Sequence, residues 1–84
     1  MLFEVNLPSL SPTMEEGKIV KWVKKKDEHV LSGEVLFEVE TDKATMEYES
    51  PEDGYIAEIF IDEGSTAKVN QLVALISDNK DYSS

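Results

Sequence analysis

One lysine stands out among the few residues of this 84-residue chain that could do chemistry. The sequence contains no Cys and a single histidine, His29, which excludes disulfides, thiolate catalysis and most zinc sites. His29 lies in the polar stretch KKKDEHV, where we expect it to be exposed rather than oriented as a catalytic base. Lys43, in contrast, lies in the stretch ETDKA (40–44) between two strand-like runs. Its primary amine could form an amide, which would remove its charge and could attach a long arm.

The charge of the chain limits its possible partners. Eighteen acidic residues against eight lysines, with no arginine, give a net charge of −10. Such a surface repels nucleic-acid phosphates and anionic membranes, so we expect neither as a partner. No apolar run approaches the ~20 residues that a membrane-spanning helix needs. Met1 leads almost directly into a strand-like run, so we expect no targeting segment here. The length fits one small domain, and nothing in it resembles a metal-binding loop.

An internal repeat organises the chain. A shift of 37 residues aligns segment 15–40 with segment 52–77 without a gap, so that Ile19 meets Ile56, and apolar positions continue to match along both copies. The match is one of pattern rather than identity. It predicts two copies of one structural unit related by a pseudo-twofold axis.

Each copy has the sequence character of β-structure. Short runs rich in β-branched and aromatic residues alternate with turn residues, which indicates an all-β sandwich or small barrel. Six runs are predicted to be strands: FEVNL, IVKWV, VLFEVE, ATMEYE, YIAEIFI and LVALI. Trp22 and Phe60 are predicted to lie in the core.

The glycines are predicted to lie in turns, where glycine can adopt positive φ. These glycines are Gly17, Gly33, Gly54 and Gly64. Asn70 aligns with Gly33, and Asp27 aligns with Gly64. Because Asn and Asp tolerate the left-handed conformation best after glycine, these exchanges predict the same backbone in both copies.

The apolar pattern of the two runs that flank ETDKA predicts the register in which they pair. Pairing residues whose numbers sum to 85 places Val39 opposite Met46 and Phe37 opposite Tyr48, apolar against apolar. A slip of one residue would mix apolar with polar side chains on both faces, so the pattern selects this register. Lys43 and the residue before it then occupy the two central positions of the turn.

The turn itself leaves two interpretations of Lys43 open. Asp42 and Lys43 lack the Asn-Gly or Asp-Gly signature of a type I′ turn, and two left-handed residues would cost roughly 1–2 kcal/mol each. We therefore expect a type I turn with Lys43 pointing outward. Lys43 either offsets the acidic residues around it on a solvated hairpin, or is displayed there for covalent modification.

The same residues carry a family resemblance. ETDKA, at a hairpin between two related halves, resembles the lipoyl domain of 2-oxo acid dehydrogenase complexes over about residues 3–77, and we expect the domain to span residues 1–77. The stretch LPSLSPTMEEGKIVKW (7–22) is similar to the dihydrolipoyl acetyltransferase component of the pyruvate dehydrogenase branch. The resemblance implies a flattened barrel or sandwich of two four-stranded antiparallel sheets. It also implies that Lys43 carries lipoate in amide linkage, and that Asp42 and Ala44 help a lipoyl ligase or transferase recognise the hairpin.

The resemblance further implies a carrier that is not itself an enzyme and has no catalytic residue. Its lipoyl arm would be reductively acetylated by the thiamine-dependent pyruvate dehydrogenase, deliver acetyl to the acetyltransferase core for coenzyme A, and be reoxidised by dihydrolipoyl dehydrogenase. The parent chain would be the acetyltransferase. A pyruvate dehydrogenase beta subunit, or the acyltransferase-like binding protein of eukaryotic complexes, stays open. We expect a monomeric domain in a bacterial cytoplasm, with the mitochondrial matrix as the alternative.

A second candidate region lies near the N-terminus. The resemblance implies that partner recognition involves residues around the lysine: Leu10, Ser11, Pro12, Thr13, Met14, Glu40 and Thr41. The alternative interpretation is that Leu10 and Met14 only cover one end of the barrel. The lysines at positions 18, 21 and 24–26 are expected to form a solvated face.

Two other functions stay open. Biotinyl domains share the architecture but typically carry methionine on both sides of their lysine, whereas Lys43 lies between Asp42 and Ala44. A non-carrier module that binds proteins through its acidic surface is the other possibility. The polar segment 78–84 is predicted to be a tail or the start of a linker. Lys80, which aligns with Lys43, is expected to stay unmodified because no strand follows it to form a hairpin.

Overall fold

The computed structural model describes residues 2–79, which form eight β-strands and no helix. The strands are β1 Leu2–Asn6, β2 Glu16–Trp22, β3 His29–Val30, β4 Val35–Glu40, β5 Thr45–Glu49, β6 Gly54–Ile59, β7 Thr66–Lys68 and β8 Leu72–Ser77. All six predicted runs are strands. The two that the sequence did not reveal, β3 and β7, have two and three residues, which is too short for a visible alternation.

The strands form the two four-stranded antiparallel sheets that the resemblance implied. One sheet has the order β1-β8-β6-β3, and the other has the order β5-β4-β2-β7. Their apolar faces pack on each other as in a sandwich. The core consists of Val5, Leu7, Met14, Ile19, Val30, Leu36, Phe37, Val39, Ile56, Ala67, Val73, Ala74 and Ile76. With no helix between residues 2 and 79, this part of the chain contains no helix able to cross a membrane.

The internal repeat is visible in the strand pairing. Ile19 pairs with Val39 in one sheet, and Ile56 pairs with Ile76 in the other, at the predicted offset of 37 residues. Both strand pairs then shift register at the same place, between 19 and 21 and between 56 and 58. The same backbone is therefore built twice, and each sheet contains strands from both copies.

The first strand completes the symmetry in a way that the repeat did not show. Leu2 of β1 pairs with Ser77 of β8, as Thr45 of β5 pairs with Glu40 of β4. This equivalence continues along both strands to the irregularity at Asn6. Hence β1 occupies beside β8 the place that β5 occupies beside β4.

Four turns confirm the predicted exchanges at positive φ. In each turn the fourth residue donates its backbone N–H to the carbonyl of the first: Glu28 to Lys25, Glu34 to Leu31, Ser65 to Asp62 and Gln71 to Lys68. The third residues have positive φ, with 75° at Asp27, 93° at Gly33, 91° at Gly64 and 72° at Asn70. Asp27 therefore replaces Gly64, and Asn70 replaces Gly33, in a shared backbone.

The prediction of turns at the other two glycines is wrong. Gly17 and Gly54 lie inside strands β2 and β6, are buried, and are absent from the positions of positive φ. A Cβ on Gly17 would lie 2.6 Å from Val39 Cγ2 and 2.9 Å from Met14 Cε. A Cβ on Gly54 would overlap the backbone carbonyl oxygen of Ser77. Here glycine permits close approach of neighbouring strands rather than an unusual dihedral angle.

The prediction that Phe60 is a core residue is also wrong. Its side chain is 49% exposed, whereas Trp22 packs against the core as expected. Phe60 follows the last residue of β6, the partly buried Ile59, and side chains alternate between the two faces of a strand. Val23, the repeat partner of Phe60, is exposed in the same way.

The two kinds of glycine give the first prediction. Gly54→Ala should lower the free energy of unfolding by about 3 kcal/mol, because the new methyl group meets a backbone carbonyl that cannot move aside. Gly33→Asn should cost less than about 1 kcal/mol, because its surroundings are open and asparagine tolerates positive φ. Urea denaturation of both variants checks this. Equal losses of unfolding free energy in the two variants would contradict this distinction between Gly54 and Gly33.

In three of these turns a carboxyl or amide oxygen accepts the N–H of the first turn residue, as Glu28 Oε1 does from Lys25 N at 2.8 Å. Glu34 Oε1 accepts a hydrogen bond of 2.8 Å from Leu31 N, and its repeat partner Gln71 accepts one of 2.9 Å from Lys68 N. The Leu31 N–H is the main cause that lowers the pKa of Glu34, and the Lys24 ammonium, 3.5 Å away, lowers it further.

The lowered pKa of Glu34 predicts a pH-dependent contribution to stability. The folded pKa lies below the unfolded value of about 4.3, so the contribution is complete above that pH and is lost as pH falls through the folded pKa. Glu34→Gln keeps the acceptor and removes the titration. We expect the stability of the native chain relative to this variant to fall as the pH is lowered through about 4.3 and below. A constant difference between the two unfolding curves would contradict the expectation.

Candidate functional site

The hairpin formed by β4 and β5 has the predicted register. Val39 pairs with Met46 and Phe37 with Tyr48, so that each pair of residue numbers sums to 85. The rings of Phe37 and Tyr48 stack with centroids 4.9 Å apart, and Trp22 contacts the same Phe37 ring at 4.9 Å. Burial in this cluster raises the pKa of the Tyr48 hydroxyl. The aromatic contacts hold the base of the hairpin.

The hairpin tip, residues 41–44, is closed mainly by one side chain. The Thr41 backbone N donates to the Ala44 carbonyl at 2.9 Å. The Thr41 hydroxyl also donates to that carbonyl at 2.9 Å, and it accepts from the backbone N of Lys43 and of Ala44 at 3.2 Å each. Neither Asp42 nor Lys43 has positive φ, so the tip is not a type I′ turn, as expected.

Lys43 occupies the tip with its side chain in solvent. It is exposed, and no carboxylate among residues 2–79 lies within ion-pair distance of its amine. Other lysines are differently placed: Lys24 lies 3.5 Å from Glu34 and Lys26 lies 3.7 Å from Glu58. An acyl group on the Lys43 amine would therefore break no ion pair within the described part of the chain.

The loop before β2 lies beside the hairpin tip. The Thr13 hydroxyl is 3.5 Å from a carboxylate oxygen of Asp42, and both residues are exposed together with Pro12. Leu10 and Met14 face the other way: Met14 is in the core, its sulfur accepts a hydrogen bond of 3.2 Å from Leu10 N, and Leu10 packs against the core.

The remaining predicted residues are divided between the loop and the hairpin. Ser11 is partly buried, and its hydroxyl has no hydrogen-bond partner among the described residues. Ala44 is exposed at the tip, and Glu40 is exposed at the end of β4, paired with Lys18 and Thr45. The structure thus brings the exposed part of the loop next to Asp42, while Leu10 and Met14 anchor that loop.

Within residues 2–79, His29 and the acidic side chains form no cluster that could hold a metal ion. His29 is exposed on the edge strand β3, with its ring 5.0 Å from the Tyr55 ring. The hairpin tip, in contrast, presents the exposed amine of Lys43 on an ordered pair of strands, and such an amine can be acylated.

Sequence reasoning missed two features of the site. It did not show that the Thr41 hydroxyl closes the tip, although a threonine hydroxyl can accept a hydrogen bond from the backbone N–H two residues later, here that of Lys43. It also gave no contact between Thr13 and Asp42, which are 29 positions apart. The residues Lys80–Ser84, including Lys80 and most of the predicted tail, lie outside the described residues.

A family model agrees with this architecture. The model described as "Biotin-requiring enzyme" (Biotin_lipoyl) matches residues 3–76. Among solved structures, the chain superimposes on the lipoyl domain of the 2-oxoglutarate dehydrogenase complex from Azotobacter vinelandii with a TM-score of 0.74 and 32% identity, covering 88% of this chain and 94% of that one. A crystal structure of urea carboxylase from Kluyveromyces lactis gives a TM-score of 0.76 at 21% identity over 92% of this chain and 6% of the other. That second similarity concerns the fold alone.

Curated relatives are acetyltransferase components. The chain is 51% identical over 77 residues to the dihydrolipoyllysine-residue acetyltransferase component of the mitochondrial pyruvate dehydrogenase complex of Caenorhabditis elegans, covering 90% of this chain and 15% of the relative. It is 46% identical over 78 residues to the corresponding component of Rhizobium meliloti, with 92% and 17% covered. The chain spans about a sixth of the length of these two relatives.

Proposed function

Since the chain belongs to the Biotin_lipoyl family, whose lipoyl domains attach lipoate covalently to a lysine, we propose that it is a lipoyl carrier domain and that Lys43 is its attachment residue. The observation that carries the proposal is the position of Lys43: a solvent-exposed amine, without an ion pair among residues 2–79, at the tip of an ordered hairpin.

The residues at the tip fit an amide-linked group. A lipoyl ligase or transferase would form a bond between Lys43 Nζ and the activated carboxyl carbon of lipoate, while Nζ loses a proton and the activating group departs. The exposed side chain needs no rearrangement for this step. Asp42 and Ala44 flank the amine and are exposed with it, so we assign them to recognition of the hairpin by the ligase.

When bound, lipoate supplies a disulfide that can accept an acyl group and two electrons. This chain would contribute an anchor for that group, held by the β4–β5 hairpin outside the core. The chemistry itself would belong to partners: a thiamine-dependent pyruvate dehydrogenase, an acetyltransferase core and dihydrolipoyl dehydrogenase. We assign the exposed residues Pro12, Thr13 and Asp42, with Glu40, to contact with the dehydrogenase, because Thr13 lies beside Asp42 and Glu40 ends the strand that leads into the tip.

The parent protein that we propose is a dihydrolipoyl acetyltransferase of a pyruvate dehydrogenase complex. Relatives at 46–51% identity carry that name in mitochondrial and bacterial forms, so the compartment would be a bacterial cytoplasm or the mitochondrial matrix. The polar surface, with a net charge of −10, supports an isolated domain that remains monomeric.

Covalent attachment is tested by intact-mass measurement. After incubation with lipoate, ATP and a lipoyl ligase, the chain should gain the mass of one lipoyl group, and Lys43→Ala should gain none. Lys25→Ala is the matched control, because Lys25 is also exposed in a turn, and it should be modified normally. A lipoyl gain that persists in Lys43→Ala would refute the assignment of Lys43. A biotinyl gain under a biotin ligase would favour the biotinyl alternative instead.

The complex is tested by reductive acylation of the lipoylated chain. Pyruvate dehydrogenase with pyruvate should acylate it at least about tenfold faster than 2-oxoglutarate dehydrogenase with 2-oxoglutarate, because recognition of the carrier adds transition-state binding of on the order of 1.4 kcal/mol. The rates are measured by mass spectrometry of the acylated chain. Preference for 2-oxoglutarate dehydrogenase would overturn the proposed parent.

A further inference from the structure

We propose that Thr41 is a positioning residue for the modification of Lys43: its hydroxyl fixes the backbone of the hairpin tip in the form that the modifying enzyme binds. The inference deepens the proposed function and rests on it. It assigns to Thr41 a role inside the chain, in contrast to the partner contact that the sequence suggested.

The geometry assigns three hydrogen bonds to this one hydroxyl. Thr41 Oγ1 donates to the Ala44 carbonyl at 2.9 Å and accepts from the N–H groups of Lys43 and Ala44 at 3.2 Å. In an ordinary β-turn, the carbonyl of the first residue would accept the N–H of the fourth. Among the described residues, the Ala44 N–H donates to the Thr41 hydroxyl instead, and the Lys43 N–H donates to the same hydroxyl.

The conformation of the turn explains why a side chain is needed. Neither Asp42 nor Lys43 has positive φ, so the tip lacks the twist of the type I′ turn that matches a two-residue hairpin. A turn without that twist splays the strands, and among the described residues one backbone hydrogen bond, from Thr41 N to the Ala44 carbonyl, crosses the tip. A hydroxyl on the first turn residue can reach the N–H groups that the backbone carbonyl leaves without a partner.

Such a tip matters most to an enzyme that must bind it. Thr41 is only partly buried, and residues 42–47 are exposed, so packing does not fix their conformation. An enzyme that binds a disordered tip must order its backbone, and that cost reduces affinity. The Thr41 hydroxyl orders the tip before the enzyme binds. Its removal should therefore weaken binding of the tip and leave the reactivity of the amine unchanged.

The test compares Thr41→Val, which has the same shape without the hydroxyl, with Thr41→Ser, which keeps it. Thr45→Val is the matched control, because Thr45 is an exposed threonine on the same hairpin and makes no side-chain hydrogen bond among residues 2–79. Each chain is lipoylated by a lipoyl ligase at several chain concentrations to give KM and kcat. Each is also acylated with a small anhydride, and its amide hydrogen exchange is measured by NMR.

The expected result separates positioning from general stability. Thr41→Val should raise KM about tenfold with little change in kcat, the factor that one to two ordinary hydrogen bonds supply. Exchange at the Lys43 and Ala44 amides should accelerate, and chemical acylation of Lys43 should not change. Thr41→Ser should restore KM to within about twofold, and Thr45→Val should behave as the native chain.

Three outcomes would overturn the inference, and they can be distinguished from one another. If the native chain is lipoylated at Lys43 and Thr41→Val has an unchanged KM, the positioning role is wrong while the carrier function stands. If the native chain takes up no lipoyl group at Lys43, the carrier function fails and the inference fails with it. A loss in Thr41→Val that Thr41→Ser does not restore would also refute the role of the hydroxyl.

Discussion

The contact of Phe37 with Trp22 and Tyr48 is the interaction on which the position of the tip depends. These three side chains form one row across strands β2, β4 and β5, with ring centroids 4.9 Å apart on either side of the fully buried Phe37. A slip of one residue of the edge strand β5 along β4 would turn Tyr48 and Met46 to the opposite face of the sheet, because the side-chain period of a strand is two. The row therefore fixes the register, and the register determines that Lys43 is at the tip.

The pseudo-twofold symmetry shows what is special about that tip. The repeat partners of the aromatic row are Val5, Ile59 and Ala74, so the second sheet has the same backbone with smaller side chains. Its counterpart of β5 is β1, which comes from the start of the chain. Leu2 stands opposite Ser77, but β1 and β8 are not consecutive in the chain, so no turn joins them at the place equivalent to the hairpin tip. One backbone thus appears twice, but only β4 and β5 are joined directly by a two-residue turn.

The sequence predicted whatever depends on local pattern. The hairpin register and the exchange of Gly33 for Asn70 follow from alternation and from the dihedral preferences of single residues. The features that it missed depend on the approach of distant segments. Gly54 is required because the Ser77 carbonyl lies against it, and nothing near residue 54 in the sequence reveals that contact.

The candidate site, too, could be predicted only where it depends on local sequence. ETDKA and the register indicate which amine is displayed, whereas the neighbourhood of Thr13 and Asp42 requires the folded chain. For Phe60 the prediction from sequence was wrong rather than missing. Its apolar character suggested burial, whereas strand alternation after the partly buried Ile59 turns its side chain to solvent. Hydrophobicity alone does not identify a core position, since a large part of any protein surface is apolar.

The stability of the fold should not depend on whether the Lys43 amine is free or acylated. Lys43 contributes no ion pair or core contact within residues 2–79, in contrast to Lys24, whose ammonium supports the charged form of Glu34. Loss of a charge by amide formation would weaken an ion-paired lysine site, whereas at the tip it removes only screened interactions with exposed carboxylates. Meanwhile the backbone beneath the amine is held by Thr41 and by the aromatic row, neither of which involves the lysine side chain. A lysine that is acylated and then visited by several enzymes, as we propose for Lys43, is best carried where modification leaves the scaffold unchanged, and the β4–β5 hairpin provides such a place.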